Sequence, residues 1–194
     1  MKVLWDNLFR KNSSRSKITN LLQETILFSD LKINELEILE KIMNPRKFHA
    51  GETVFRQGDG GVGMYLIVSG SVNIFLDEVL ESQEVRQSLI TRLFVGDFFG
   101  ESALVIEGGK RSATIVARED CELLGFFYPD LLQLIKSNPI AGNKILFRLG
   151  EVLGTRLRET NKKLISLISE NDSLKKELGR KGENETNHGK SYFT

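Results

Sequence analysis

The strongest constraint on the fold is a change of hydrophobic period part-way along the chain. Between Phe48 and Phe127 the sequence is a series of short runs rich in Val, Ile, Phe and Tyr, a composition that strands favour. Turn signals containing Gly, Asp or Ser separate the runs at intervals of about 8 to 12 residues. Among the runs are Thr53–Phe55, Met64–Val68, Val72–Leu76, Ser88–Phe94, Ala113–Ala117 and Leu123–Phe127. About eight short strands of this kind predict a sandwich or a jelly roll.

Helical periodicity precedes the strand-rich region. From Asn20 to Met43 apolar residues recur every three to five positions, with an interruption near residues 29–31. This pattern predicts two short helices. Asn34 followed by Glu37 is placed to cap the second helix, and Pro45 closes the segment.

Helical periodicity also follows the strands. The chain turns helical after Pro129, Pro139 marks a break, and no proline interrupts the pattern from Ile140 to Leu178. We therefore expect an α+β fold that is mainly β, with a β jelly roll flanked by helices and a long C-terminal coiled-coil helix.

The second half of that helix carries heptads. The a positions are Leu157, Leu164, Asn171 and Leu178, and the d positions are Leu153, Thr160, Leu167 and Leu174. A single Asn at an a position favours a parallel, two-stranded, in-register pair, and Glu170 at g faces Lys175 at e of the next heptad. We predict a parallel homodimer through this coiled coil. The alternative is a single amphipathic helix that packs on its own sandwich, which we expect before Leu153.

These patterns divide the chain into four parts. They are a basic amphipathic extension (1–20), the jelly-roll domain (21–150), the dimer helix (151–178) and a polar tail expected to be disordered (179–194). The extension combines Trp5 and other apolar residues with basic ones, so it suits an anionic membrane surface. Packing of Trp5 on its own domain or on a partner is the more common use of such a segment.

Composition narrows the class of protein further. The 27 basic and 26 acidic residues give a net charge of +1, so any charged recognition must be local. The only cysteine, Cys121, excludes an internal disulfide and is expected to fill core space. No stretch approaches the roughly 20 apolar residues of a membrane span, and Met1–Arg10 has no signal-peptide core. We expect a cytoplasmic protein.

Catalysis and metal binding are not expected. A jelly roll can hold a three-histidine metal site, but the chain has two histidines, His49 and His188, far apart in sequence. No Ser/His/Asp or Cys/His set is placed for nucleophilic catalysis. The sequence therefore predicts no catalytic residues, no metal ligands and no cofactor.

The residues that carry recognition lie between Gly100 and Thr114. Glu101 and Arg111 stand ten positions apart across a glycine-rich bend. A guanidinium can chelate two phosphate oxygens, and a carboxylate can accept a ribose hydroxyl. A short turn at Ser102–Leu104 would add backbone N–H donors, and Gly100 lets a ligand approach the backbone. The same spacing also describes an ordinary surface ion pair.

A family resemblance strengthens the first of these interpretations. Phe-Gly-Glu-x-Ala-Leu at residues 99–104, followed by Arg-Ser-Ala-Thr at 111–114, resembles the phosphate-binding cassette of the cyclic-nucleotide-binding domain family. The resemblance extends over roughly Phe28 to Asn161 and is of the catabolite-activator kind. It implies that cAMP or cGMP is the ligand, held by Gly100, Glu101, Ser102, Ala103, Arg111, Ser112, Thr160 and Asn161. Thr160 and Asn161 fall where dimeric members of the family contact the base.

Three departures from the family pattern qualify the resemblance. Lys110 replaces a proline, Val62 replaces a common acidic residue, and Asn161 replaces a hydroxylated one, which changes the pattern of base contacts. Family regulators also carry a helix-turn-helix module of roughly 70 residues, whereas only 16 residues follow Leu178 here. We therefore expect no direct DNA binding and a separate, unidentified effector protein. The alternative is a degenerate member that acts as a dimeric interaction scaffold without ligand.

Overall fold

The computed structural model describes residues 17–80, 84–106 and 108–188, with side chains throughout except at residues 79 and 177–188. Two antiparallel sheets of four strands each form a β roll, with orders β1-β8-β3-β6 and β2-β7-β4-β5. The strands are β1 Asn44–Phe48, β2 Thr53–Phe55, β3 Gly63–Ser69, β4 Val72–Val79, β5 Val85–Leu93, β6 Phe98–Phe99, β7 Thr114–Ala117 and β8 Cys121–Phe127. The expected jelly-roll fold flanked by helices is confirmed.

Helices lie before and after the strands. They are α1 over residues 17–24, α2 Ile33–Ile42, a 3₁₀ turn at Glu101–Leu104, α3 Tyr128–Ser137 and α4 Pro139–His188. Pro129 stands in the first turn of α3 and Pro139 begins α4, positions where the missing N–H of proline costs nothing. Both prolines therefore mark helix starts, as predicted.

The core lies between the sheets and continues under the helices. Between the sheets, a cluster of buried side chains contains Ile67, Val72, Phe99, Ile115, Ala117, Cys121 and Leu123. Cys121 is a core side chain as expected, and burial raises the pKa of its thiol above the ordinary value. On the helical side, Leu22, Leu36, Leu39, Ile145 and Leu149 are almost fully buried.

Two ion pairs hold the beginning of α4 to the segment around α2. Lys144 Nζ lies 2.7 Å from Glu35 Oε2, and the Arg148 guanidinium lies 2.7 Å from the Asp30 carboxylate. Glu35 is buried and also accepts a hydrogen bond from the Lys32 N–H at 2.7 Å. Hydrogen bonds to Lys144 and Lys32 help to hold the pKa of Glu35 below its usual range, although burial acts in the opposite direction.

The start of α2 corrects one prediction, and the structure around Pro45 adds a strand that the sequence did not predict. The cap of α2 is formed by Lys32 and Glu35, two residues before the expected Asn34 and Glu37, because the helix begins at Ile33. Pro45 follows the end of α2 at Ile42, as expected, and lies within β1. Among the described residues β1 pairs with β8 alone, so it is an edge strand, where proline is tolerated.

The end of α4 lies further along the chain than the sequence predicts. α4 continues to His188, so residues 179–188 are helical where a disordered tail was predicted. A single Gly179 costs only about 1 kcal/mol in a helix and no proline follows it. Of the proposed amphipathic extension (1–20), residues 1–16 lie outside the described residues, and residues 17–20 belong to α1.

The chain divides into two compact units, Met1–Gly150 and Glu151–Thr194. In the second unit the helix exposes four of its heptad leucines: Leu157, Leu164, Leu167 and Leu174 are each more than half exposed, whereas Leu153 is half-buried. Among the described helices, none is both long and apolar enough to cross a lipid bilayer.

Alanine substitutions at two glycines of α4 should change the free energy of unfolding in opposite directions. A Cβ at Gly142 would lie 2.6 Å from Ile135 Cγ1 and 2.9 Å from its Cα, whereas a Cβ at Gly150 would meet nothing within 4 Å. Gly142→Ala should lower the free energy of unfolding by about 1–3 kcal/mol through overpacking against α3. Gly150→Ala should raise it by up to about 1 kcal/mol, because alanine is the better helix former. Urea unfolding of both variants beside the parent protein measures these changes, and equal effects would contradict the packing of α3 on α4.

Candidate functional site

The site begins where a short strand meets a 3₁₀ turn. β6 ends at Phe99, Gly100 adopts φ +76°, and the 3₁₀ turn Glu101–Leu104 follows. The left-handed conformation favours glycine, and a Cβ on Gly100 would lie 2.5 Å from Arg111 Nη1. The backbone at Gly100 and the side chain of Arg111 therefore pack against each other, although they are eleven residues apart.

Arg111 is a buried cation with an incomplete set of partners. The residue is 7% exposed, its guanidinium carbon lies 4.0 Å from the centre of the Phe55 ring, and Nη1 donates to the Gly100 carbonyl at 3.3 Å. Nε is buried and has no hydrogen-bond partner among the described residues. A buried donor without a partner costs about 1–3 kcal/mol, so the arrangement favours an added acceptor.

The loop of residues 56–61 holds the backbone on both sides of Arg111. The Arg111 N–H donates to the Asp59 carbonyl at 2.8 Å, and the Gly58 N–H donates to the Arg111 carbonyl at 2.9 Å. The Gly61 N–H donates to Gly109 at 2.8 Å. Arg111 is thus fixed by a segment about fifty residues earlier in the chain.

Burial and nearby ionisable groups act on the pKa of Arg111 in opposite directions. Burial lowers the pKa of its guanidinium below the ordinary value, and this effect is opposed by Tyr65, Asp59 and Glu101. Glu101 is itself 6% exposed. A positive group and a carboxylate are therefore both withdrawn from water within one site, which suits a ligand that has an anionic group and a hydroxyl.

The other predicted residues of this segment have different exposures. Ser102 and Ser112 are exposed, and Ala103 is buried. The Ala103 N–H, expected to be available to a ligand, donates instead to the Gly100 carbonyl at 3.2 Å. This bond closes the first turn of the 3₁₀ segment, so an anion at Ala103 would have to share or replace it.

Thr160 and Asn161 belong to the second compact unit. Both are exposed residues of α4, and the Thr160 hydroxyl donates to the Arg156 carbonyl at 2.8 Å. The structure thus brings Gly100, Glu101, Ala103 and Arg111 together in the first unit. Thr160 and Asn161 lie on α4, in the second unit.

Comparison with known proteins agrees with this geometry. Residues 45–138 match the model of the family described as the cyclic nucleotide-binding domain. Residues 45–138 belong to that family. The matched range contains both sheets except Asn44, the first residue of β1, together with the Gly100 turn, Arg111 and α3.

Individual relatives are regulators. The chain is 38% identical over 138 residues to the cyclic AMP receptor protein of Thermus thermophilus, covering 71% of this chain and 60% of that protein. It is 32% identical over 121 residues to the cAMP-activated global transcriptional regulator CRP of Pasteurella multocida, covering 62% of this chain and 54% of that protein. This chain therefore spans about half to three-fifths of the length of these curated relatives.

A solved structure has a similar fold. The crystal structure of the Thermus thermophilus catabolite activator protein superimposes with a TM-score of 0.64 at 34% identity. The match covers 73% of this chain and 62% of that chain. The matched part of this chain thus has the fold of the corresponding part of the Thermus thermophilus catabolite activator protein.

Sequence reasoning missed the residues that support Arg111 from the side of residues 55–59. Phe55 and Asp59 lie within the range of the family resemblance, but the sequence analysis assigns no role to them. An aromatic residue and a Gly-Asp turn are common in loops, so nothing in the sequence alone connects them with Arg111. Among the described residues, no cluster of His, Cys, Asp or Glu side chains has the arrangement of a metal site.

The contact between Gly100 and Arg111 can be tested with two glycines of similar backbone. Gly100 and Gly108 have φ values of +76° and +69°, but a Cβ on Gly108 would meet nothing within 4 Å. Each alanine substitution should cost about 1–2 kcal/mol of stability through left-handed strain. Gly100→Ala should cost more, because it also crowds the guanidinium. Chemical denaturation of both variants measures the difference, and equal losses would show that Arg111 yields to the added methyl without cost.

Proposed function

We propose that this chain is a sensor that binds cAMP or cGMP at the cassette between Gly100 and Thr114 and does no chemistry on the ligand. The observation that carries this proposal is the buried guanidinium of Arg111, whose Nε has no partner among the described residues. A cyclic phosphodiester supplies acceptor oxygens that complete such a site. Membership of residues 45–138 in the cyclic nucleotide-binding domain family supports the same ligand.

Each cassette residue then has a specific role. The Arg111 guanidinium binds two oxygens of the phosphate, and the Glu101 carboxylate accepts a hydrogen bond from the ribose 2′-hydroxyl. Backbone groups of Gly100, Ser102 and Ala103 and the hydroxyl of Ser112 complete the contacts to the phosphate and ribose. Thr160 and Asn161 are proposed to contact the base. Because the side-chain amide of Asn161 both donates and accepts, it suits either adenine or guanine.

Output is proposed to pass through the dimer helix to a separate effector. The exposed heptad leucines of α4 are apolar positions that a second helix would cover, and Asn171 would favour parallel, in-register pairing. Ligand can change the arrangement of this helix only if it binds two arrangements with different affinity. The effector protein responds to the arrangement that ligand favours.

The competing function is a dimeric scaffold that has lost its ligand. Burial of both Glu101 and Arg111 argues against it, because a scaffold gains nothing from two ionisable side chains withdrawn from water. In a scaffold these positions would tolerate apolar residues, which are often neutral or stabilising replacements for buried charges. The two functions are separated by a direct binding measurement.

Calorimetric titration of the whole chain with cAMP and with cGMP tests ligand binding. We expect saturable binding of at least one nucleotide, and Arg111→Lys should weaken it by at least about tenfold because lysine cannot form the bidentate contact. Arg118→Lys is the matched control, because Arg118 is an exposed arginine of the same domain. This variant should bind nucleotide with the affinity of the parent protein.

Two results would overturn parts of this proposal. The absence of both heat and thermal shift with either nucleotide at millimolar concentration would favour the scaffold. Binding that is unchanged in Arg111→Lys would remove Arg111 from the phosphate site while leaving the ligand assignment intact.

Dimerisation is tested by the mass of the chain in solution. Light scattering at micromolar concentration should give the mass of a dimer, and Asn171→Leu should strengthen association while admitting other orientations or larger assemblies. Ser169→Leu is the control, because it adds a leucine at an exposed position outside the heptad seam. A parent protein that is monomeric under these conditions would contradict the coiled-coil prediction.

A further inference from the structure

A second set of polar contacts lies next to the loop that holds Arg111. Thr114 is fully buried, and its hydroxyl accepts a hydrogen bond from the Gln57 N–H at 2.9 Å and donates to Asp77 Oδ2 at 2.5 Å. The other carboxylate oxygen of Asp77, Oδ1, accepts from Gln87 Nε2 at 2.9 Å. These contacts connect β4, β5 and β7 with the residue that follows Arg56.

The Gln57 side chain also binds the backbone of Asp77 in both directions. Gln57 Nε2 donates to the Asp77 carbonyl at 3.0 Å, and the Asp77 N–H donates to Gln57 Oε1 at 2.9 Å. This reciprocal pair resembles one rung of a β ladder formed by a side chain. Gln57 is therefore held at both its backbone and its side chain.

The position of Gln57 sets the position of the loop. Immediately after it, Gly58 and Asp59 make the two backbone hydrogen bonds that flank Arg111, and Asp59 also accepts from the Arg56 N–H at 2.8 Å. Two residues before it in the chain, Phe55 supplies the ring against which the guanidinium packs. The contacts that place Arg111 thus begin on either side of Gln57.

We propose that Asp77 is a positioning residue for nucleotide binding: through Thr114 and Gln57 it holds the loop that aims the Arg111 guanidinium at the phosphate. This inference rests on the proposed binding of a cyclic nucleotide. Asp77 acts on the ligand only through other residues, and none of its contacts involves the cassette turn at Gly100. The β4–β5 hairpin is thereby joined to the phosphate site, since Asp77 and Gln87 lie on its two strands.

The test compares Thr114→Val with Thr114→Ser in the full chain. Valine keeps the size of threonine but leaves the Asp77 carboxylate and the Gln57 N–H without the hydroxyl, whereas serine retains it. We expect Thr114→Val to weaken cAMP or cGMP binding about tenfold and Thr114→Ser to bind as the parent does. Asp77→Ala should reproduce the loss, and either variant serves if the other does not fold.

Two further measurements separate positioning from loss of stability. Leu39→Val, a substitution in the core beneath α2, should lower the melting temperature without changing the affinity of the folded protein for nucleotide. Amide hydrogen exchange without ligand should be faster at Gly58, Gly61 and Arg111 in Thr114→Val and unchanged in Thr114→Ser.

The outcomes distinguish this inference from the proposed function. A parent chain that binds no nucleotide refutes the proposed function, while faster exchange in Thr114→Val would still support the loop contacts. A parent chain that binds nucleotide, with the same affinity in Thr114→Val, Asp77→Ala and Thr114→Ser, overturns the positioning role. Unchanged exchange at Gly58, Gly61 and Arg111 overturns it as well.

Discussion

The site depends on one physical constraint: a guanidinium is held out of water by backbone hydrogen bonds from a distant part of the chain. Arg111 donates to Asp59 and accepts from Gly58, while Phe55 lies beneath its side chain. Withdrawing a cation from water is unfavourable unless other groups compensate. The sheet order places β2 beside β7, so the loop that follows β2 lies next to the residue that precedes β7. The topology of the second sheet therefore places the loop of residues 56–61 beside the Arg111 backbone.

The turn at Gly100 packs against the same Arg111 guanidinium. β6 consists of two residues and pairs with β3, after which the chain reverses direction at a left-handed glycine. A longer strand would carry Glu101 further along the sheet, and a residue with a Cβ would push against the Arg111 guanidinium. The short strand and the glycine together bring a carboxylate and a guanidinium from opposite ends of the cassette into one buried region.

Local sequence patterns predict much of this arrangement. The features that they miss have identifiable physical reasons. Local pattern and family resemblance predicted the β-rich runs, the helix starts at Pro129 and Pro139, and the grouping of Gly100, Glu101 and Arg111. The roles of these three residues toward a ligand stay a prediction. β1 was missed because Pro45 is typical of a segment end, and β6 because two residues give no period. The part played by Gln57, Asp77 and Thr114 depends on contacts between residues 20 to 57 positions apart, which no local pattern encodes.

The helix α4 has two parts with different physical environments. Its beginning is fixed by Lys144 and Arg148 to acidic residues near α2, and Ile145 and Leu149 are buried. Beyond Gly150, the heptad residues Leu157, Leu164, Leu167 and Leu174 are more than half exposed, and fully burying each would contribute roughly 1.5–3 kcal/mol. A helix that is fixed at one end and apolar but uncovered at the other gains most by pairing its second part with another helix. The proposed output would use this second part of α4, because one continuous helical backbone runs from Pro139 to His188.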